Sequence, residues 1–204
     1  MKPEEIEQAS MRTIASEMAP WQGPEENRPV VMRVIHATAD FDFQKNMYFT
    51  PEAVTLGREA LRRGTPVITD TMMAAAGISK KACAALGVTV TCRMSDPEIA
   101  AEAKKRGVTR AAVSMEAAVR ETPGAIYVIG NAPTALIRHC ELIDDGRAAP
   151  ALVVGVPVGF VNVIESKERL AKTPVPAIIA MGRKGGSTVA SAILNALLYG
   201  IARP

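Results

Sequence analysis

The sequence predicts an α/β protein in which helices cover both faces of a mainly parallel sheet. Several short runs are apolar at every position, as expected for strands that are buried on both faces. Amphipathic or alanine-rich segments separate these runs, and this alternation is typical of parallel sheets. The predicted strands are 66–69, 88–92, 125–129, 151–154 and 177–180, and the predicted helices between and after them are 98–106, 109–120, 132–144, 159–171 and 188–199. We therefore expect a three-layer αβα arrangement with a five-stranded sheet in flavodoxin-like order.

The segment before the first predicted strand reads as three helices. Two of them cover residues 3–18 and 27–38. A third begins near Thr50 and Pro51, because threonine caps helices and proline suits the first turn, and it ends at Gly64.

The composition is that of an ordinary globular protein, with 48% hydrophobic and 22% charged residues among 204. No repeat or linker divides the chain, so we predict one domain over 1–204, in which N-terminal helices of residues 1–64 pack on an α/β core of residues 65–204. The net charge of +3 is too small to indicate a nucleic-acid partner, although it suits an anionic small molecule. The first residues lack the apolar core of a signal peptide, and no apolar stretch approaches the ~20 residues of a membrane helix. We expect a cytoplasmic protein without a membrane partner.

Small and polar residues gather where the predicted strands end. These segments, which we call the rim, are 70–71, Arg93, 130–131, 155–157 and 182–187. In open parallel sheets, ligands bind beyond the carboxyl ends of the strands. The rim is therefore the predicted ligand site.

The clearest local motif is the glycine loop, residues 182–187, between a predicted strand and a predicted helix. Gly182, Gly185 and Gly186 allow the backbone to approach a ligand closely. Ser187 is placed to cap the next helix, whose free N–H groups would attract an anion. The motif matches neither of the common nucleotide-binding loops. A flexible turn with solvated charges accounts for these residues equally well.

A second helix N-terminus is expected after the strand that ends at Ile129. Asn131 can cap this helix, and Pro133 then lies in its first turn. A well-made strand-to-helix turn with no ligand role would have the same sequence.

His36 is the better of two candidates for proton transfer near neutral pH. It lies in an apolar helical segment, with Arg33 one turn earlier on the same face. A lone histidine in such a helix is more often packed than catalytic. The other histidine, His139, is expected in the middle of a helix beside Arg138, where a structural role is the simpler interpretation.

The cysteines and serines do not indicate a further catalytic or metal site. Cys83, Cys92 and Cys140 form no CxxC pair or His/Cys cluster, so we expect no metal site. A buried free cysteine behaves as a small hydrophobic residue. Ser114 and the other serines lack the GxSxG elbow of a hydrolase.

Taken together, segments spread over nearly the whole chain resemble the precorrin-8X methylmutase family. Each segment is weak evidence alone, but the set occurs in the family's order. The matching segments are Arg33-Val34-Ile35-His36-Ala37-Thr38, Asp70, 129–136, Gly155-Val156-Pro157-Val158-Gly159-Phe160-Val161, Glu165-Ser166-Lys167 and 182–187.

The resemblance implies a homodimeric three-layer α/β isomerase of cobalamin biosynthesis. Such an enzyme moves a methyl group from C11 to C12 of precorrin-8X or cobalt-precorrin-8, by a [1,5]-sigmatropic shift, to give hydrogenobyrinate or cobyrinate. This shift needs no cofactor of the protein, and cobalt, where present, belongs to the substrate. The resemblance also leaves room for transfer of the product to the next enzyme of the pathway.

The resemblance further implies roles for individual residues. His36 matches the catalytic histidine, which donates a proton to the macrocycle or accepts one from it. Ser10 and Arg33 match substrate-contacting positions, and Arg110 corresponds to an arginine near the site. The substrate carries several carboxylates, and arginines and helix N-termini can bind such groups by charge-assisted hydrogen bonds. The other expected substrate-binding residues are Asn131, Thr134, Gly182, Gly185, Gly186 and Ser187.

Three alternatives stay open at this point. A tetrapyrrole carrier without chemistry would use the same binding residues but would not depend on His36. A flavin- or nucleotide-binding protein would need phosphate recognition by the glycine loop. A hydrolase with a cysteine nucleophile is the weakest alternative, and alkylation of the three cysteines would test it.

Overall fold

The computed structural model describes residues 2–202, which form one six-stranded sheet and eleven helices. The strands are β1 (Met47–Phe49), β2 (Val67–Thr69), β3 (Val90–Thr91), β4 (Ile126–Ile129), β5 (Leu152–Gly155) and β6 (Ala177–Ala180). The helices are α1 (Pro3–Glu17), α2 (Arg28–Thr38), α3 (Phe43–Asn46), α4 (Ala53–Arg62), α5 (Met72–Gly77), α6 (Lys80–Ala85), α7 (Pro97–Arg106), α8 (Arg110–Glu121), α9 (Pro133–Asp144), α10 (Val163–Leu170) and α11 (Ser187–Ala202). None of the helices described is long and apolar enough to cross a membrane.

The sheet is mainly parallel, as predicted, but it has six strands instead of five. Its order is β1-β6-β5-β4-β2-β3. The five parallel strands alone follow the 2-1-3-4-5 order that is given for flavodoxin-like sheets. The additional strand, β1, pairs antiparallel with β6, and Met47 lies opposite Ala180. The sequence does not reveal β1, because it is only three residues long and the middle one, Tyr48, is 41% exposed.

Several element boundaries differ from the prediction for local reasons. The helix expected from Thr50 begins only at Ala53, since Glu52 has a left-handed φ of 57°. The helix expected over 159–171 begins at Val163, since Gly159 and Asn162 both have positive φ. The short helices α3 and α5 were not predicted, whereas α6 is the alanine-rich helix expected around Cys83.

Alternate residues of the central strands face two separate cores. On β4, Ile126 and Val128 face the first core, while Tyr127 and Ile129 face the second. The first core contains apolar residues of α2, α4 and α11, and the second contains those of α8, α9 and α10. Helices therefore cover both faces, and the αβα layering is as predicted. Helix α7 packs outside α8.

The N-terminal segment joins the first core. Val31 of α2 and Leu61 of α4 belong to the same apolar cluster as Val154 of β5 and Leu197 of α11. Because β1 lies within residues 1–64, the prediction that this segment is purely helical is wrong.

Candidate active site

An open groove of about 390 Å³ between α1 and α2 contains His36 and Ser10. His36 is exposed in the last turn of α2, which ends where Ala39 adopts a left-handed φ of 54°. Ser10 donates a hydrogen bond to the carbonyl of Ile6 in its own helix, at 3.0 Å. The groove is lined by Ile6, Ala9, Ser10, Thr13, Ile14, Glu17, Ile35, His36, Ala39 and Phe41. The structure thus brings together two residues that the sequence places in separate helices.

Arg33 does not line the groove of His36. It lines a neighbouring groove, together with Arg28 and Met32. Its guanidinium donates to the Glu7 carboxylate at 2.7 Å and lies 5.2 Å from the centre of the Tyr199 ring. Arg33 is thereby held between α1 and α11.

Close backbone contacts shape the glycine loop. A Cβ on Gly185 would lie 2.8 Å from the carbonyl oxygen of Pro157 and closer still to that of Val156. The N–H of Gly186 donates to the same Val156 carbonyl at 2.9 Å. Gly182 and Gly186 have φ values of 76° and 123°, which favour glycine. The loop therefore requires its glycines and is not an unconstrained turn.

Lys184 connects the glycine loop with the segment that follows His36. Its Nζ donates to the carboxylates of Asp40 and Asp42, at 2.6 Å each. These bonds raise the pKa of Lys184, and the bond from Lys184 lowers the pKa of Asp40. Phe41, between the two aspartates, lines the His36 groove. The groove and the rim are therefore adjacent.

The N-terminus of α9 is already filled by a carboxylate of the protein. Asp70 follows β2, is 1% exposed, and accepts hydrogen bonds from the N–H groups of Gly130, Asn131 and Ala132, at 2.8 Å each. Burial raises the pKa of Asp70, and the three N–H donors act in the opposite direction. These three N–H groups are therefore used within the protein, whereas the Asn131 side chain is exposed and free to meet a ligand. Asn131 also does not cap α9, whose N-cap is Ala132.

The remaining predicted site residues, Arg110, Thr134 and Ser187, do not line the His36 groove. Thr134 accepts a hydrogen bond from Thr109 at 2.9 Å, next to the exposed Arg110 that begins α8. The Ser187 hydroxyl is 2.8 Å from that of Thr71. Ser187 is the first residue of α11 and not the residue before it, so its predicted capping position is off by one residue.

Sequence reasoning missed the role of Lys167. This residue of α10 is 0% exposed, and its Nζ donates to the carbonyls of Gly182 and Lys184, at 2.8 Å each. Burial lowers the pKa of Lys167 to about 8. The segment Glu165-Ser166-Lys167 is among the matched segments, but one sequence does not show that its lysine points inward.

The buried thiols are poor nucleophiles. Burial raises the pKa of Cys140 to about 12 and also raises that of Cys83, so both are protonated near neutral pH. This disfavours Cys83 and Cys140 as the nucleophile of a hydrolase.

Comparison with known proteins decides the family. The family model described as precorrin-8X methylmutase matches residues 5–200. The chain belongs to this family. The resemblance inferred from the sequence segments is therefore confirmed.

Family members are similar to this chain over most of its length. A cobalt-precorrin-8 methylmutase of Priestia megaterium is 45% identical over 197 residues, which are 97% of this chain and 88% of the relative. A precorrin-8X methylmutase of Pseudomonas aeruginosa is 39% identical over 194 residues, which are 94% of this chain and 93% of the relative. The crystal structure of precorrin-8X methylmutase from Thermus thermophilus is 40% identical and superimposes with a TM-score of 0.89, covering 97% of both chains.

Proposed function

We propose that this chain moves a methyl group from C11 to C12 of precorrin-8X or cobalt-precorrin-8 and so forms hydrogenobyrinate or cobyrinate. The observation that carries the proposal is the groove that holds His36 and Ser10 in a chain of the methylmutase family. At about 390 Å³ the groove is near the small end of ligand pockets, so it receives one edge of the large macrocycle. Its lining is mainly apolar, which suits a ring face.

His36 is the residue that we assign to proton transfer with the macrocycle. A sigmatropic shift needs the ring in one tautomer and the migrating methyl held over the accepting carbon. Imidazole exchanges protons readily near neutral pH, and the His36 side chain is exposed to the groove. The shift uses no cofactor of the protein in this proposal, and any cobalt arrives with the substrate.

The substrate carboxylates are assigned to the rim and to Arg33. The glycine loop offers backbone N–H groups, while Arg110, Asn131 and Thr134 lie beside the start of α9. Arg33 contributes after exchanging or sharing its bond to Glu7. Each charge-assisted contact is worth ~1.5–3 kcal/mol, so several of them hold a polyanion without a large net charge.

The test is an absorption time course with precorrin-8X and, separately, with cobalt-precorrin-8. Wild-type protein is expected to convert one of them to the spectrum of its product. His36→Ala should still bind the ring but lose at least about 100-fold in rate, the usual contribution of a general acid or base. Lys172→Ala serves as the control. Lys172 is exposed in the loop before β6, at the end of this strand opposite the rim.

Three results would contradict the proposal or its assignment of His36. Equal turnover by wild type and His36→Ala would remove His36 from the mechanism. Binding of both substrates by wild type without turnover of either would favour the carrier, and a retained yellow chromophore would favour the flavin-binding alternative.

We further propose a cytoplasmic homodimer that passes its product to the next enzyme of the pathway. Large apolar side chains that follow β2 and β5 support the dimer: Met73 is 70%, Phe160 87% and Val161 75% exposed. A second copy would cover such side chains. Light scattering should give twice the chain mass of 21.6 kDa, whereas a mass of one chain would contradict the dimer.

A further inference from the structure

Lys167 is a buried cation without a buried anion. Among the residues that the structure describes, no carboxylate lies within ion-pair distance of its Nζ, and its two partners are the carbonyls of Gly182 and Lys184. Burying an ammonium group in this way is costly, and burial lowers the pKa of Lys167 accordingly. An apolar side chain would fill the same space without that cost. The buried ammonium group of Lys167 is therefore explained by its two bonds to the glycine loop.

The two bonds to Lys167 fix the direction of two peptide groups. In a planar trans peptide, the N–H points away from the C=O. Because the carbonyls of Gly182 and Lys184 point toward Nζ, the N–H groups of Arg183 and Gly185 point away from it. Within residues 2–202 neither N–H has a hydrogen-bond acceptor. Two unused donors thus face the side of the loop opposite the buried lysine.

Contacts from other elements keep these two peptides in place. The peptide between them has its carbonyl, that of Arg183, bonded to the N–H of Gly159. Gly185 rests against the carbonyl of Val156, and Lys184 is bound to Asp40 and Asp42. The paired donors are therefore rigidly held next to the segment that lines the His36 groove.

We propose that Lys167 is a positioning residue, which turns the N–H groups of Arg183 and Gly185 away from its own Nζ and leaves each of them free to donate to a carboxylate of the substrate. Backbone N–H groups without a partner inside the protein bind anions at such loops. The inference rests on the proposed function, because the anion is a carboxylate of the macrocycle. Lys167 itself stays buried and does not touch the substrate.

The first experiment compares the affinity of wild type, Lys167→Met and Lys167→Gln for the reaction product, by absorption titration with hydrogenobyrinate and cobyrinate. Methionine keeps the length of the side chain but donates nothing, so the Kd should rise about tenfold or more while bound substrate is still converted. Glutamine keeps two N–H donors and should recover part of the affinity. Lys172→Met, the same exchange at an exposed position, should bind like wild type.

The second experiment needs no variant and therefore holds even if Lys167→Met folds poorly. Amide resonances of wild-type protein are followed while the product is added. The Arg183 and Gly185 N–H signals should move downfield as they gain an acceptor, and that of Gly159 should move less because its N–H is already bonded.

The outcomes separate the inference from the proposed function. If wild type binds neither corrin product nor substrate, both are overturned. If wild type binds and turns over, but Lys167→Met keeps its Kd within twofold or the two amides do not respond, the role of Lys167 alone is overturned.

Discussion

At the scale of single residues, His139 is unusual because it is buried without a hydrogen-bond partner. It is 0% exposed, its ring centre lies 4.1 Å from that of Tyr127, and neither ring nitrogen has an acceptor or donor among the described residues. Burial lowers the pKa of His139 to about 3, so the imidazole is neutral in the folded protein at ordinary pH. This agrees with the structural role that the sequence predicts.

Replacing His139 with leucine should stabilise the protein. His139→Leu removes an unsatisfied polar group, a gain of ~1–3 kcal/mol at neutral pH. The unfolded histidine binds a proton below pH 6.5, whereas the folded one does not until the pH falls to about 3. Wild-type stability therefore decreases as the pH is lowered from 6.5 to about 3. The variant should lose this component of the pH dependence of stability. Urea unfolding at several pH values measures both effects.

A less stable His139→Leu variant with an unchanged pH slope would contradict this account. It would indicate that the imidazole has a hydrogen-bond partner in solution, such as an internal water.

Gly185 allows a second prediction at the residue scale. A methyl group there would collide with the Val156 carbonyl, which belongs to the backbone and cannot rotate aside. Gly185→Ala should cost ~1–3 kcal/mol by overpacking and should raise KM more than it lowers kcat. Gly124→Ala is the matched control, since its nearest atom would be 3.8 Å away. Equal unfolding free energies and equal KM values for the two variants would be incompatible with a tightly seated loop.

At the scale of secondary-structure elements, Asp70 joins strand β2 to the start of α9. One carboxylate accepts three N–H groups at the point where β4 leads into the helix. The negative charge also lies at the positive end of the helix dipole. Asp70 therefore fixes the position of α9 relative to the sheet.

Replacing Asp70 with asparagine should loosen this junction. Asp70→Asn keeps the size but places an NH₂ group against backbone N–H donors, so we expect a loss of about 2–3 kcal/mol in urea unfolding. Asp145→Asn, at the exposed C-terminal end of α9, should change stability by less than about 0.5 kcal/mol. A similar result for both variants would show that the helix N-terminus does not depend on the carboxylate.

The sequence predicts elements better than it predicts contacts between them. The short apolar runs identified all five parallel strands. Four of them, β2, β4, β5 and β6, are buried at every residue, whereas β3 is a half-exposed edge strand within the predicted run 88–92. β1 escaped because one face of an edge strand is exposed and the strand is short. The inward direction of Lys167 and the use of Asp70 as an internal anion also escaped, because both depend on residues that are distant in the sequence.

At the scale of the whole molecule, the candidate site joins segments from both ends of the chain. His36 and Ser10 come from the first two helices, whereas the glycine loop follows the last strand. The bonds from Lys184 to Asp40 and Asp42 connect the two parts at the surface. Exposed ion pairs contribute little to stability, so the shared first core and not these bonds holds the parts together.

The position of α11 has a consequence for synthesis on the ribosome. Val30, Val31 and Val34 of α2 are buried in the core that α11 completes, and α2 packs directly on α11. The ribosome makes α2 early and α11 only after every strand. The nascent chain therefore carries the apolar face of α2 uncovered through most of translation, and contacts this distant in sequence form slowly. Folding of this half is consequently expected only after α11 has been made, and until then the exposed apolar face of α2 favours aggregation.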